Sequence, residues 1–155
     1  MDFSKELEQR VKEAIEAVPE AVASTAKRYF LERFSEKAFD GEPWKPWGKR
    51  YKPGRGTLLV QSGALRKSID VDEISARRVV ITAGGDRVPY ARAHNEGFSG
   101  SVVVRSHERV SKKGKPYVVK QHTRKMLVPR RRFMGESHEL ETCLLYTSPS
   151  PRDRT

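Results

Sequence analysis

The chain has 155 residues, 36% of them hydrophobic and 33% charged, with a formal net charge of +11. That length allows one domain with a modest core, and so thin an apolar supply predicts exposed arms or surface buried against other subunits. No apolar run is long enough to cross a bilayer and the acidic start Met1-Asp2-Phe3 does not read as a signal peptide, so the protein is expected to be soluble and intracellular where it is made.

The charge is unevenly spread. Residues 1–40 carry seven Lys/Arg against nine Asp/Glu. Between Ser99 and Phe133 the basic residues are Arg105, Arg109, Lys112, Lys113, Lys115, Lys120, Arg124, Lys125, Arg130, Arg131 and Arg132, and the one acid is Glu108. A field of this kind favours polyanions or an acidic protein face. The single cysteine, Cys143, allows no internal disulfide and no cysteine metal cluster.

Residues 3 to about 36 read as helix. Phe3, Leu7, Val11, Ile15, Val18, Val22, Ala26, Tyr29 or Phe30, and Phe34 recur every three or four positions, which makes one apolar stripe opposite a face of Glu, Lys and Arg. Pro19 lacks a backbone donor and predicts a kink or two consecutive helices. Residues 39–57, rich in Gly and Pro, read as a loop in which Trp44 and Trp47 supply ring area to pin it to the domain, or else an exposed anchor for a partner.

The segment Ser62 to Ile69 reads as a short helical turn capped by the Ser62 hydroxyl and leading into a strand. Ile69, Val71 and Glu73 alternate with Asp70 and Asp72, and Arg78 to Ala83 forms a second β-rich run, so a turn near Ser75-Ala76-Arg77 makes a hairpin. Gly84-Gly85 before Asp86 reads as a hairpin turn. Pro89 to Glu96 suits a short helix ending at Gly97. Val103-Val104-Arg105-Ser106-His107 is then echoed by Val118-Val119-Lys120-Gln121-His122, with a hydrophilic turn at 111–116 between them. Folded on each other, the two copies predict a long basic β-hairpin. The expected fold class is α+β, a long N-terminal helix packed on a small antiparallel sheet, with the basic hairpin protruding. Leu7, Val11, Ile15, Val22 and Phe30 are expected to face the sheet built from Ile69, Val71, Val79 and Ile81.

Gly135 to Leu140 reads as the start of a helix that does not continue. Cys143 to Asp153 matches one reading frame of a transposase adapter used to prepare sequencing libraries. Residues 143–155 are therefore expected to be a non-native tail without packed contacts. Residues 1–142 are expected to form the domain, with its natural C-terminal element expected to be missing.

Chemistry finds little support. His94, His107, His122 and His138 invite a metal, and His107 and His122 occupy equivalent places where they could face each other. No cysteine or carboxylate stands at ligand spacing beside them, and Arg105, Arg109 and Arg124 would repel a cation. His94-Asn95-Glu96 alone does not make a nuclease, which needs further metal carboxylates. No enzyme activity, cofactor or metal is expected. The basic residues from Arg105 to Arg132 carry the strongest signal, with three readings: neutralising nucleic-acid phosphates, a solvated charged face, or one subunit's basic arm meeting the acidic helix of the next, a heterologous contact that can close a ring.

The order of motifs resembles the phage virion morphogenesis family, which includes Mu-like morphogenesis and tail-completion proteins. The residues that carry the resemblance are Trp44 and Trp47; Ser62, Gly63, Leu65, Ser68 and Ile69; Tyr90, His94, Asn95 and Gly97; and Phe133 and Gly135. It covers nearly all of residues 1–140. The resemblance implies a structural protein of a tailed bacteriophage, placed in the phage tail or neck and assembled in the host cytoplasm. It would act in virion morphogenesis, tail completion or head–tail joining, as a ring-forming homo-oligomer in contact with other tail or connector proteins. The alternative is a basic nucleic-acid-binding accessory protein touching DNA without sequence preference.

Overall fold

An apolar residue at every third or fourth position carries the first helix through Pro19 without a break. The computed structural model describes residues 3–49, 54 and 56–147, and helix α1 spans Phe3–Glu36. Pro19 therefore does not divide it into two helices. The carbonyl left without an amide partner by the proline lies four residues back, at Ile15, where the helix is exposed and water can serve it. The parts of the 39–57 loop at residues 50–53 and 55, and the tail at 148–155, lie outside the described residues.

After α1 come β1 (Ala38–Phe39), β2 (Glu42–Pro43), α2 (Ala64–Lys67), β3 (Asp70–Ser75), β4 (Arg78–Thr82) and α3 (Ala91–Glu96). Then follow β5 (Phe98–Val104), β6 (His107–Val110), β7 (Pro116–Val119), β8 (His122–Val128) and α4 (His138–Thr147). The strands pair antiparallel as β1–β2, β3–β4, β5–β8 and β6–β7, four two-stranded ladders rather than one sheet. This is the α+β class, with a long N-terminal helix and small antiparallel sheets. Among the described residues no helix is long and apolar enough to cross a membrane.

The helical stripe is only half covered. Ala23, Ala26, Tyr29, Phe30 and Phe34 are buried, and Val22 is half-buried. Leu7, Val11, Ile15 and Val18 remain 51%, 50%, 65% and 42% exposed. Leu7, Val11 and Ile15 thus do not face the β3–β4 ladder as the sequence pattern predicts; of the expected set, Phe30 is buried and Val22 partly so. The reason is length. At about 1.5 Å per residue a helix of 34 residues reaches roughly 50 Å, and burial along it begins only near Val22. Lys27 Nζ pairs with Asp70 at 2.8 Å, which ties the covered half of α1 to the start of β3.

The core forms around that covered half. Phe34 meets Trp44 edge-on, with ring centroids 5.5 Å apart, and Phe133 at 5.3 Å. Leu58, Leu65, Ile69, Val88, Ala91 and Leu140 close the cluster. The Trp44 indole N–H donates to the Arg132 carbonyl at 2.6 Å, and Trp47 packs partly buried against the same cluster. The tryptophans pin their loop to the domain. Part of that loop is a small hairpin: Phe39 pairs with Glu42 across Asp40 and Gly41, at φ 49 and 75. Asp-Gly suits a two-residue turn with both central φ angles positive.

Asp40 then organises the other end of the chain. Its carboxylate accepts from the His138 and Glu139 amides, each at 3.3 Å, while Ser137 Oγ accepts from Leu140 N at 3.1 Å. Three of the free amides at the start of α4 are thereby satisfied. The Ser137 hydroxyl, which also donates to Asp40, lies 2.6 Å from the Tyr29 hydroxyl. Tyr29 donates in turn to Glu139, held from the far side by Arg33 at 3.0 Å. Burial, with the Glu139 carboxylate beside it, pushes the Tyr29 hydroxyl up to about 12, so it remains a donor at neutral pH. So capped, α4 continues to Thr147 instead of stopping near Leu140. Leu144, one turn beyond Leu140, packs against the core, contrary to the expectation of no packed contacts after residue 142. Leu145 and Tyr146 face outward.

The remaining ladders follow the sequence pattern with local corrections. Ser75 pairs with Arg78 across Ala76-Arg77, as expected for a hairpin, and the β3–β4 register shifts between Val71 and Glu73. Gly84-Gly85 is not a hairpin turn: the Val88 amide donates to the Gly85 carbonyl at 2.9 Å, a turn that leads into α3.

Phe133→Ala should lower stability by about 3–5 kcal/mol, since it empties the buried centre of the aromatic cluster. Ile15→Asp, on the uncovered half of the helix, should change the stability of the isolated subunit by less than about 0.5 kcal/mol. Urea unfolding followed by circular dichroism measures both.

A second expected outcome concerns Asp40. Burial works against its charge, but hydrogen bonds from Ser137, the Glu139 and His138 amides and Tyr29 prevail, and its carboxyl sits below the ordinary 3.8. A lowered folded-state value adds stability above the ordinary carboxyl range, and that stability is lost as pH falls through the folded value. Asp40→Ala should cost about 1–2 kcal/mol at neutral pH by uncapping α4. In thermal melts below about pH 4, Asp40→Asn should lose less stability on acidification than the unmodified chain.

Candidate assembly interface

The sequence singles out two sets of residues, and the structure gives them different work. The first set builds the body. The Ser62 hydroxyl accepts from Ala64 N at 3.3 Å, and Gly63 takes φ 74 at the start of α2, which seats Leu65 in the core. Ser68 Oγ donates to the Leu65 carbonyl at 2.7 Å and accepts from Gly84 N at 3.0 Å, joining α2 to the segment after β4 beside the buried Ile69.

Asn95 is the main clasp of the C-terminal segment. Its Oδ1 accepts from Phe133 N at 2.9 Å and Met134 N at 3.1 Å, and its Nδ2 donates to the Met134 carbonyl at 3.1 Å. A side-chain amide here acts as a short strand would, satisfying a backbone segment that has no ladder partner. The neighbouring His94 carbonyl accepts from Arg131 N at 2.8 Å. Gly97 is required by this approach: at φ 83, an added Cβ would stand 3.2 Å from Arg130 N. At Gly135, φ 133, a Cβ would meet the Arg132 guanidinium at 2.7 Å.

His94 stacks edge-on with the exposed Tyr90, centroids 5.8 Å apart. Its Nδ1 is buried without a hydrogen-bond partner. Burial and then the charge of Arg131 hold its pKa below the ordinary value, so the ring is neutral at neutral pH. Among the described residues no group of three or more His, Cys, Asp or Glu is placed to hold a metal ion.

The basic set divides. Arg131 is buried; its Nε donates to the Lys45 carbonyl at 2.8 Å and its Nη2 to the Pro46 carbonyl at 3.2 Å. Arg132 lies over the Phe39 ring at 4.7 Å and donates to the Glu136 carbonyl at 2.7 Å. These two guanidinia fasten loops to the body. Arg130 is exposed, and so are Arg105, Arg109, Lys112, Lys113, Lys115, Lys120, Arg124 and Lys125, on or between the β5–β8 and β6–β7 ladders. Among the described residues none of these nine cations meets a carboxylate within ion-pair distance.

The two ladders share one register. Val104 pairs with His122 and His107 with Val119, so pairing skips Arg105-Ser106 on one side and Lys120-Gln121 on the other. The sequence echo has a physical meaning there: each copy sets its histidine opposite the second valine of the other copy. His107 and His122 accordingly do not face each other. Each ring nitrogen Nδ1 turns back to the carbonyl two residues earlier, Arg105 or Lys120, at 2.9 Å. A carbonyl held by its own chain's side chain is diverted from the ladder, which accounts for the interruption at both places. Beyond it, Val110 and Val118 are 70% and 60% exposed and Tyr117 47%.

Two features go beyond the residues the sequence singles out. One is how far the face of α1 stays uncovered: Glu8, Lys12 and Glu16 line a shallow groove with Leu7, Val11 and Ile15. Its signal was the length of the stripe against the small apolar supply. The other is the Asp40 hub, whose signal was Asp-Gly between two apolar stretches.

Comparison with curated proteins and with solved structures found no match for the chain. The model of the phage virion morphogenesis family matches residues 2–145. That span takes in α1, both tryptophans, the α2 and α3 clasps, the basic ladders and the Phe133 segment. The chain belongs to the phage virion morphogenesis family.

Proposed function

We propose that this protein is a non-catalytic structural component of a tailed bacteriophage that acts in tail completion or head–tail joining as a ring-forming homo-oligomer. The family supplies the morphogenesis role and association with other virion components. One observation supports the finer reading. The folded subunit leaves large apolar side chains uncovered on two separate elements, Leu7 to Val18 of α1 and Val110 to Val118 of the β6–β7 ladder. Single exposed apolar residues are ordinary, but a contiguous stripe of them marks an interaction surface. Two unlike surfaces on one subunit suit head-to-tail contacts, which close into a ring when the rotation permits. The place of action is then the tail or neck of the virion, with assembly in the host cytoplasm.

A second reading is a nucleic-acid-binding accessory protein, favoured by the exposed cations from Arg105 to Lys125, which meet no carboxylate among the described residues. Such a protein would bind duplex DNA as a single subunit, with affinity falling steeply as salt rises. The two readings separate in one pair of measurements on the full chain. Native mass spectrometry and negative-stain microscopy at micromolar concentration should show closed rings. A monomer at every concentration, with tight salt-dependent DNA binding, would favour the accessory role instead.

A further inference from the structure

The uncovered face of α1 is the same face that the core covers farther along. Leu7, Val11, Ile15 and Val18 continue at helical spacing into Val22, Ala26 and Phe30. Glu8, Lys12 and Glu16 flank this exposed part, with Lys12 4.0 Å from Glu16, and residues 1–20 carry six acids against three bases in a chain whose net charge is +11. The β6–β7 end of the ladders has the complementary composition. Val110, Tyr117 and Val118 are exposed on it, and Lys112, Lys113 and Lys115 stand in its turn. Residues 98–128 carry eight Lys/Arg and one acid.

We propose that the exposed stripe of α1 is the docking site for the β6–β7 end of a second copy of this chain. Val110 and Val118, which share one face of the ladder, cover Leu7, Val11 and Ile15, while the turn lysines reach Glu8 and Glu16. The inference rests on the ring reading and identifies the two surfaces that would meet in it. Size agrees: four-residue strands extend about 14 Å, and the eight helical steps from Leu7 to Ile15 rise about 12 Å. DNA fits the ladder end less well, because phosphates answer the lysines but offer nothing to Val110 and Val118. A neighbour's α1 fits the stripe less well, because it would bring acidic flanks against acidic flanks. The contact joins unlike surfaces, so every subunit both gives a ladder and receives one.

Charge exchange on the full chain tests this, read by sedimentation velocity alongside DNA binding. The triple variant Lys112→Glu, Lys113→Glu, Lys115→Glu should weaken assembly by at least about tenfold, and so should the double variant Glu8→Lys, Glu16→Lys. An equimolar mixture of the two should recover association as alternating assemblies, because the reversed turn of one variant meets the reversed helix of the other and the remaining contact is the unmodified one, and all five changes in one chain should also recover much of the lost association. Ile15→Asp should abolish assembly with the circular dichroism spectrum of the subunit unchanged. A triple variant that assembles normally overturns the inference, and if it has also lost DNA binding, the ladder's partner is DNA. Five changes that restore nothing place the ring contact elsewhere, which overturns the inference and leaves the ring reading standing. An unmodified chain that stays monomeric overturns both.

Discussion

Everything else in this subunit depends on the mismatch between one long helix and the small body packed against it. A single apolar stripe runs from Leu7 to Phe34, and its spacing does not change along the way. From Ala23 onward the stripe is the floor of the core; before Val18 it is bare. The same residue types therefore carry two kinds of free energy. In the covered half each large side chain stabilises the subunit itself, by roughly 1.5–3 kcal/mol when fully buried. In the bare half that stabilisation is withheld until something covers the helix, so it is available to association rather than to folding.

With so little sheet, the body is closed by side chains acting on backbone. Asn95 takes the Phe133–Met134 segment, Trp44 the Arg132 carbonyl, Arg131 the carbonyls of Lys45 and Pro46, and Asp40 the start of α4. Each satisfies buried or half-buried backbone groups that no ladder reaches, and an unmet group of that kind is costly. The family's ordered motifs are read by this chain mainly as such clasps. They fasten the segments around the covered end of α1 to one another. Conversely, two residues of the arginine triplet, which look like a charged patch in sequence, belong to the clasps.

The ladders have the opposite balance. They carry many cations and few apolar contacts with the core, and a two-stranded ribbon is marginal in water on its own. Mutual repulsion among the cations acts over about 8 Å at physiological ionic strength. Local devices hold the register: the Ser111 hydroxyl accepts from Lys115 N at 3.0 Å in the turn, and each histidine binds its own chain where the pairing lapses.

Periodicity and turn chemistry in the sequence were enough for the α+β class, the two ends of α1 though not its unbroken passage through Pro19, the β3–β4 hairpin, α3 ending at Gly97, and the division into an acidic and a basic end. These are local properties, set by side-chain spacing and by which residues tolerate a given φ. What only the tertiary structure decided is which part of each pattern is used. Ile15 and Phe30 share a stripe, yet one is bare and the other buried, because burial depends on where the body stops. Arg130 and Arg131 are neighbours with the same chemistry, yet one faces solvent and the other holds a loop, because adjacent side chains on an extended segment point opposite ways. The helix after Ser137 depends on an aspartate 97 residues earlier, a partner that no local pattern can reveal.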